Sequence, residues 1–311
     1  MFTILCAVLL PWLYWDQGQA TADAVRQTGI ERLLVPAGQE IEWKHLGFDA
    51  QSFDAGRFTK VPAPGVRYQM DAASATNVPW VDANGWRFER DAVRNGKRQY
   101  YYDVPWRRAT LAAAEAHAYG VSAAIHPEPR DLADFGRMMK FLREIDRPEL
   151  PALANIGIVD DGAGATGEVL NLLARRNLLF RVVPGPDAKY DLNVRIGTDE
   201  YPKTGAADPA AFAALVRRKL TDEKRLLRLF GSDVVLGRLT GDGTQARLYL
   251  INYGGGKVEG VRVRVRGRYA HHTSAVFNAH DAALADYSAA EDATEFTIPE
   301  MEVYAVIDLR K

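Results

Sequence analysis

Cysteine is nearly missing from this chain. Cys6 is the single one in 311 residues, so no disulfide can close within the chain and no thiolate metal site can form. A surplus of positive charge is missing too. Lysine and arginine total 39 against 40 aspartates and glutamates, for a net charge of −1. The global basic excess that grips a phosphate backbone is therefore absent. No apolar run is long enough to span a bilayer as a helix. His45, His117, His126, His271, His272 and His280 are scattered, and neither HExxH nor a zinc-like spacing occurs. No GxSxG elbow supports a serine esterase. Repeats at solenoid periods and low-complexity tracts are lacking. The expectation is no metal, no cofactor, no nucleic-acid partner and no stable membrane span.

What is present is an ordinary core-forming composition, 47% apolar and 25% charged, in a length that suits two or three domains. Met1 to Trp15 reads MFTILCAVLLPWLYW, with no charge before Asp16. That length fits the apolar segment of a secretory signal, and the small residues Gly18 and Ala20 follow for cleavage after Ala20. No Lys or Arg precedes the run, and Trp12 to Asp16 also reads as a buried strand running into an acid. Two readings stand. One is a short, atypical export signal over 1–20 that overlaps the first strand and sends the protein to the periplasm or outside the cell. The other is a first strand buried in a cytoplasmic fold. Cys6 has too little hydrophobic sequence before it to be a lipid-attachment site.

Strand and helix signals alternate over 12–150. Strands are expected at Trp12–Trp15, Arg32–Val35, Gly65–Met70 and Val121–Ile125. Helices are expected at Thr21–Thr28, with Thr21 as N-cap, at Arg107–Tyr119, and from Leu132, where Asp131 caps. Such alternation argues for βα units and parallel strands. An irregular, aromatic insertion over 72–106 interrupts it. There Asn84-Gly85 and Asn95-Gly96 predict tight hairpin turns. Pro148 and Pro151 bracket a linker. Residues 151–232 read as a small three-layer α/β domain, with Thr221 capping a late helical segment. Over 233–311 the period changes to two, and seven short strands predict an antiparallel β-sandwich. Its clearest alternation sets Val261, Val263 and Val265 inward and Arg262, Arg264 and Arg266 outward. That outward stripe reads as a solvated face guarding against edge pairing, or as a surface for an acidic polysaccharide.

The order of parts, ending in FTIPEMEVYAVIDL, resembles the layout of glycoside-hydrolase-like proteins. In many of those a (β/α) barrel leads into an amidotransferase-like α/β domain and a β-sandwich. Thr294 to Leu309 resembles the last strands of their C-terminal sandwich, and Asn155 to Val183 is similar to the start of the amidotransferase-like domain. A complete barrel takes roughly 200 to 250 residues, and the linker comes well before that. The expected fold is a multidomain α/β protein with a partial (β/α)-barrel-like N-terminal region. The resemblance implies a carbohydrate-active protein that acts on or binds a glycan by carboxylate acid–base chemistry. The alternative is a non-catalytic glycan-binding or scaffold protein that keeps the layout without the chemistry.

Ligands of α/β folds bind beyond the carboxyl ends of parallel strands. Asp16, Glu40, Asp71 and Glu128 stand at or just past such ends. Glycoside cleavage takes two carboxyl groups, and Asp71 with Glu128 is the expected catalytic pair, with His126 placed to orient Glu128. The competing reading has these acids capping helices or facing solvent. In the insertion, Trp80, Trp86, Tyr100, Tyr101, Tyr102 and Trp106 offer ring faces to sugar C–H faces, and Asp82, Asn84, Arg87 and Asp103 offer hydrogen bonds. Asp16, Glu40, Trp80, Asp82, Trp86, Tyr102, Asp103 and Trp106 are the expected substrate contacts. Equally, these aromatics can form a satellite core beneath a loop. Gly162 to Gly167 matches GxGxxG, a dinucleotide-binding pattern. Asp160 and Asp161 before it would repel phosphate, so a plain tight turn is the preferred reading.

Overall fold

The structure, a computed structural model, describes residues 10–71, 76–96 and 98–311. The apolar run before Leu10, with Cys6, lies outside the described residues. In chain order the elements are β1 (Trp12–Tyr14), α1 (Ala22–Gln27), β2 (Arg32–Val35), α2 (Glu40–His45), β3 (Asp49–Ser52), β4 (Phe58–Val61), β5 (Gly65–Asp71), β6 (Thr76–Asp82), α3 (Gly85–Arg94), β7 (Gln99–Asp103), α4 (Ala109–Ala118), β8 (Ser122–His126) and α5 (Leu132–Glu144). They continue as β9 (Ile156–Val159), α6 (Gly164–Arg175), β10 (Phe180–Val183), β11 (Leu192–Arg195), α7 (Pro209–Leu220), β12 (Leu227–Phe230), β13 (Val235–Gly241), β14 (Gln245–Asn252), β15 (Val258–Arg266), β16 (His271–Val276), β17 (Ala285–Ala289), β18 (Ala293–Met301) and β19 (Tyr304–Arg310). Two compact units emerge: Met1–Gly65 with Lys97–Glu149, and Val66–Gly96 with Leu150–Lys311.

The first unit is built on a parallel sheet of order β3-β2-β1-β8-β7-β4. The last strand lies beside the first, which is the neighbour relation that closes a (β/α) barrel. Here the sheet stays open between β3 and β4. One sheet face is apolar: Leu13, Trp15, Leu33, Val35, Tyr100, Tyr102, Ala123 and Ile125 are all buried. Almost every residue of α4 is buried as well. Its alanines let the helix lie close to the sheet, and the Tyr102 hydroxyl donates to Glu115 Oε2 at 2.7 Å, tying α4 to β7. On α5, a Cβ added at Gly136 would stand 2.5 Å from Thr28 Cβ, so glycine permits the approach of α1's C-cap.

Two expected caps are used otherwise. Thr21 Oγ1 accepts from the Trp15 indole at 2.8 Å and donates to Gly18 O, with no cap bond to α1. Asp131 precedes α5 but accepts from the Arg107 N–H at 2.6 Å instead of capping.

In the second unit, β10-β9-β11 form a small parallel sheet, and β5 pairs with β6. Asn84-Gly85, expected as a hairpin turn, starts helix α3. Tertiary burial of Trp86 and Phe88 overrides the local turn preference. Thr221 is the N-cap of no helix among the described residues. It ends α7 at φ 63°, and its neighbour Asp222 pairs with Arg217 and Arg225. The cap of α7 is Asp208, whose carboxylate accepts from Ala210 and Ala211 N–H.

The sandwich has the sheets β12-β15-β18-β17 and β13-β14-β19-β16, antiparallel throughout. Val261, Val263 and Val265 meet Leu248, Leu250, Phe296 and Ile307 in its core. Strand β15 lies between β12 and β18, so the arginine stripe guards no edge. Arg262 and Arg264 pair with Glu295 on β18, and Arg264 also with Asp292.

Candidate functional site

The face of the first unit's sheet opposite the apolar one carries a different set of side chains. Along β1 and just beyond it stand Tyr14 and Asp16; β7 supplies Tyr101 and Asp103; β8 supplies His126; and β4 supplies Lys60. Two-residue periodicity puts these on one face, and register brings them together. Asp103 is the register partner of His126, and Tyr101 of both Lys60 and Ala124. All gather toward the C-terminal ends of parallel strands, where peptide geometry leaves room for a ligand.

His126 is the centre. Its Nε2 lies 3.3 Å from Asp16 Oδ1, and its Nδ1 lies 3.2 Å from Asp103 Oδ1 and 3.4 Å from the Tyr101 hydroxyl. Whichever tautomer holds, one N–H faces a carboxylate. Lys60 Nζ donates to Asp103 Oδ2 at 3.0 Å. That bond, with help from His126, holds the Asp103 carboxyl below the ordinary aspartate value despite opposing desolvation. Burial, with the Asp103 charge beside it, pushes the Tyr101 phenol up to about 12. Burial and then Asp16 raise Tyr14. Both phenols therefore stay protonated donors across the physiological range.

Next to these polar groups lies a row of partly exposed rings. Phe53 stacks on Tyr14 with centroids 4.3 Å apart and packs against Tyr101 at 5.0 Å and Phe58 at 5.1 Å. Tyr14 leans on His126 at 5.0 Å. The site thus offers ring faces, an ionised carboxylate, an ammonium, an imidazole and phenol donors within a few ångströms. Among the described residues, no group of three or more His, Cys, Asp or Glu side chains is arranged to hold a metal ion. No described helix is long and apolar enough to cross a membrane.

Of the residues expected from sequence, Asp16 and Asp103 meet here. Glu128 has both oxygens engaged, one by the Trp106 N–H at 2.9 Å and one by Arg130 Nε at 2.8 Å. It fixes the loop after β7 and is not oriented by His126, which spends both nitrogens elsewhere. Asp71 ends β5 in the second unit, and its side chain lies outside the described residues. Glu40 opens α2 and accepts from the Gly38 N–H at 2.9 Å. Tyr102 is fully buried, and its hydroxyl is spent on Glu115. Trp106 is 43% exposed, with the Arg107 and Arg130 guanidinium groups 4.1 and 4.3 Å from its ring centre.

Trp80, Asp82 and Trp86 belong to the second unit. Trp86 is core, and half-buried Trp80 packs on that core with Arg175 4.0 Å above its ring. Asp82 is held by Arg67 at 2.6 and 2.8 Å. The glycine loop is also occupied by the protein itself. Arg90 grips buried Asp160 through two bonds of 2.8 and 2.9 Å and donates to Ala163 O. Asp161 accepts from the Ala163 N–H and Thr166 Oγ1 at the start of α6. A Cβ at Gly162 would collide with Arg94 at 2.2 Å. Gly162 and Gly167 make room for Arg94 and Arg90.

No protein-family model matches the chain, and a search of the curated proteins finds no match. Solved structures do resemble it. α-L-fucosidase isoenzyme 2 from Paenibacillus thiaminolyticus superposes with a TM-score of 0.53 at 8% identity, over 68% of this chain and 60% of that one. Gan42B, a GH42 β-galactosidase from G. stearothermophilus, gives 0.39 at 10% identity, over 96% of this chain and 60% of that one. The β-galactosidase from Rahnella sp. R3 gives 0.36 at 8%, over 96% and 60%. The chain thus spans about 60% of the length of these structures. What it shares with the fucosidase is fold alone.

Proposed function

We propose that the chain binds a glycan at the C-terminal rim of its parallel sheet. The observation that carries this reading is the Asp16–His126–Asp103 array, braced by Lys60, beside the Tyr14, Phe53 and Tyr101 rings. A pyranose has one face of C–H bonds and a rim of hydroxyls. Rings stack on the former, and charged acceptors and donors bind the latter. The parallel sheet and the fold likeness to the fucosidase support the same reading.

Hydrolysis is its catalytic extension. Two carboxyls in glycosidases stand about 5 to 9.5 Å apart. The Asp16 and Asp103 oxygens flank one imidazole, so they are separated by no more than about 9 Å. Asp103, held ionised, takes the base or nucleophile position, and Asp16 the partner carboxyl. Glu128 acts on the loop after β7.

A glycan array and a panel of chromogenic glycosides test both levels. Wild type is expected to retain at least one glycan, with Tyr101→Ala and Asp103→Asn each weakening retention tenfold or more. Turnover that Asp103→Asn abolishes supports hydrolysis. Retention by wild type and both variants alike would refute this placement of the site.

A further inference from the structure

Arg57 and Arg98 stand at the opposite, N-terminal entry of β4 and β7. They immediately precede Phe58 and Gln99, which are register partners on neighbouring parallel strands. The two exposed arginines therefore enter the sheet side by side. With Gly56, Phe58, Thr59 and Gln99 they line an open cleft of about 540 Å³. Among the described residues no carboxylate lines it. Asp54, nearby in sequence, spends Oδ1 on the Gly56 N–H. Among the described residues neither arginine forms an ion pair. On the same sheet, at the entry of β2 and β3, Arg32 faces its register partner Asp49 and pairs with it at 3.3 Å. Arg57 ends a short 3-10 turn and Arg98 precedes β7, and two like charges at neighbouring strand entries repel each other. A bound anion would remove that cost. Arg98 Nη1 also reaches Thr59 Oγ1 at 3.4 Å, which keeps its head group over β4.

We propose that this cleft binds an oxyanion of the phosphate or sulfate class. Both guanidinium forks grip its oxygens, with the Thr59 hydroxyl and Gln99 amide as further donors. Free inorganic anion and a sulfate ester carried on a saccharide share that chemistry. The inference does not rest on the glycan reading, because neither arginine belongs to the Asp16–His126–Asp103 array.

The test is thermal unfolding of the full chain against inorganic phosphate, inorganic sulfate and a sulfated disaccharide, with chloride balancing ionic strength. A saturable rise in Tm is expected for wild type, corresponding to about a 100-fold shift toward the folded state at 100 times Kd. Arg57→Gln should remove the response. Arg98→Glu should remove it too, and should itself raise Tm without anion, because a carboxylate then faces Arg57. A response to the disaccharide alone assigns the anion to a saccharide, whereas a response to all three assigns it to the free ion as well. Identical responses in wild type and both variants, or a fall in anion-free Tm for Arg98→Glu, would overturn the proposal.

Discussion

Replacing Trp86 with alanine separates packing from ligand binding in the aromatic stretch. The indole is 7% exposed and sits among Ile156, Ile158, Val169, Leu170 and Leu173. A Cβ added at Gly167 would stand 3.2 Å from the ring, so α6 lies hard against it. Truncating a buried tryptophan costs about 3 to 5 kcal/mol, from lost transfer free energy and the cavity left behind. The Arg87 guanidinium, 4.1 Å from the ring centre, adds about 0.5 to 1 kcal/mol. With a urea dependence near 2 to 3 kcal/mol per molar, the midpoint should fall by roughly 1 to 3 M. Far-UV circular dichroism reads this without depending on the tryptophan signal. Glycan retention by the folded variant should match wild type. A midpoint shift under about 0.3 M together with lost retention would show that Trp86 belongs to a ligand surface, and the packing account would fail.

Other consequences are equally concrete. Asp160→Ala strands Arg90 in a site where the acid's side chain is 2% exposed, and breaking such a pair should cost about 3 to 5 kcal/mol in urea unfolding. Added NADH should show no protein-dependent fluorescence change in wild type, and a saturable one would restore the dinucleotide reading. Asp103 titrates below 3.8, chiefly through Lys60. The stability this supplies is therefore present at neutral pH and is lost as acid takes the solution below about 4 and through the native pKa. A ¹³C titration of the carboxyl should show that low midpoint, and Lys60→Met should raise it; an unchanged midpoint contradicts the Lys60 assignment. Asp208→Ala removes two cap bonds from α7 and should cost about 1 kcal/mol, which Asp208→Asn largely restores.

Much of this architecture is legible where burial imposes a period. Leu33 to Val35 marks β2, and the Val261, Val263, Val265 alternation marks the sandwich. Strands β3 and β4 are not legible, because Asp49–Ser52 and Phe58–Val61 each bury a single residue fully. As the two end strands of the sheet they pair on one side only, which leaves no apolar run to find. Strand β7 hides differently: its three tyrosines read as a loop cluster, yet Tyr100 and Tyr102 go to the core while Tyr101 faces the rim. For the site, Asp16 and Asp103 are visible as acids at strand ends. The role of His126 depends on β8 lying between β1 and β7. That pairing spans more than a hundred residues of sequence and leaves no local mark. The usable hint was that Asp103 and His126 each close a strand.

The most direct test of the rim site is a titration of the His126 imidazole resonances with an oligosaccharide retained on the array. The account predicts saturable shifts in Hδ2 and Hε1, with the same Kd as calorimetry and with loss in Tyr101→Ala. Tight binding that leaves both protons unmoved, while resonances of the second unit shift, would contradict it.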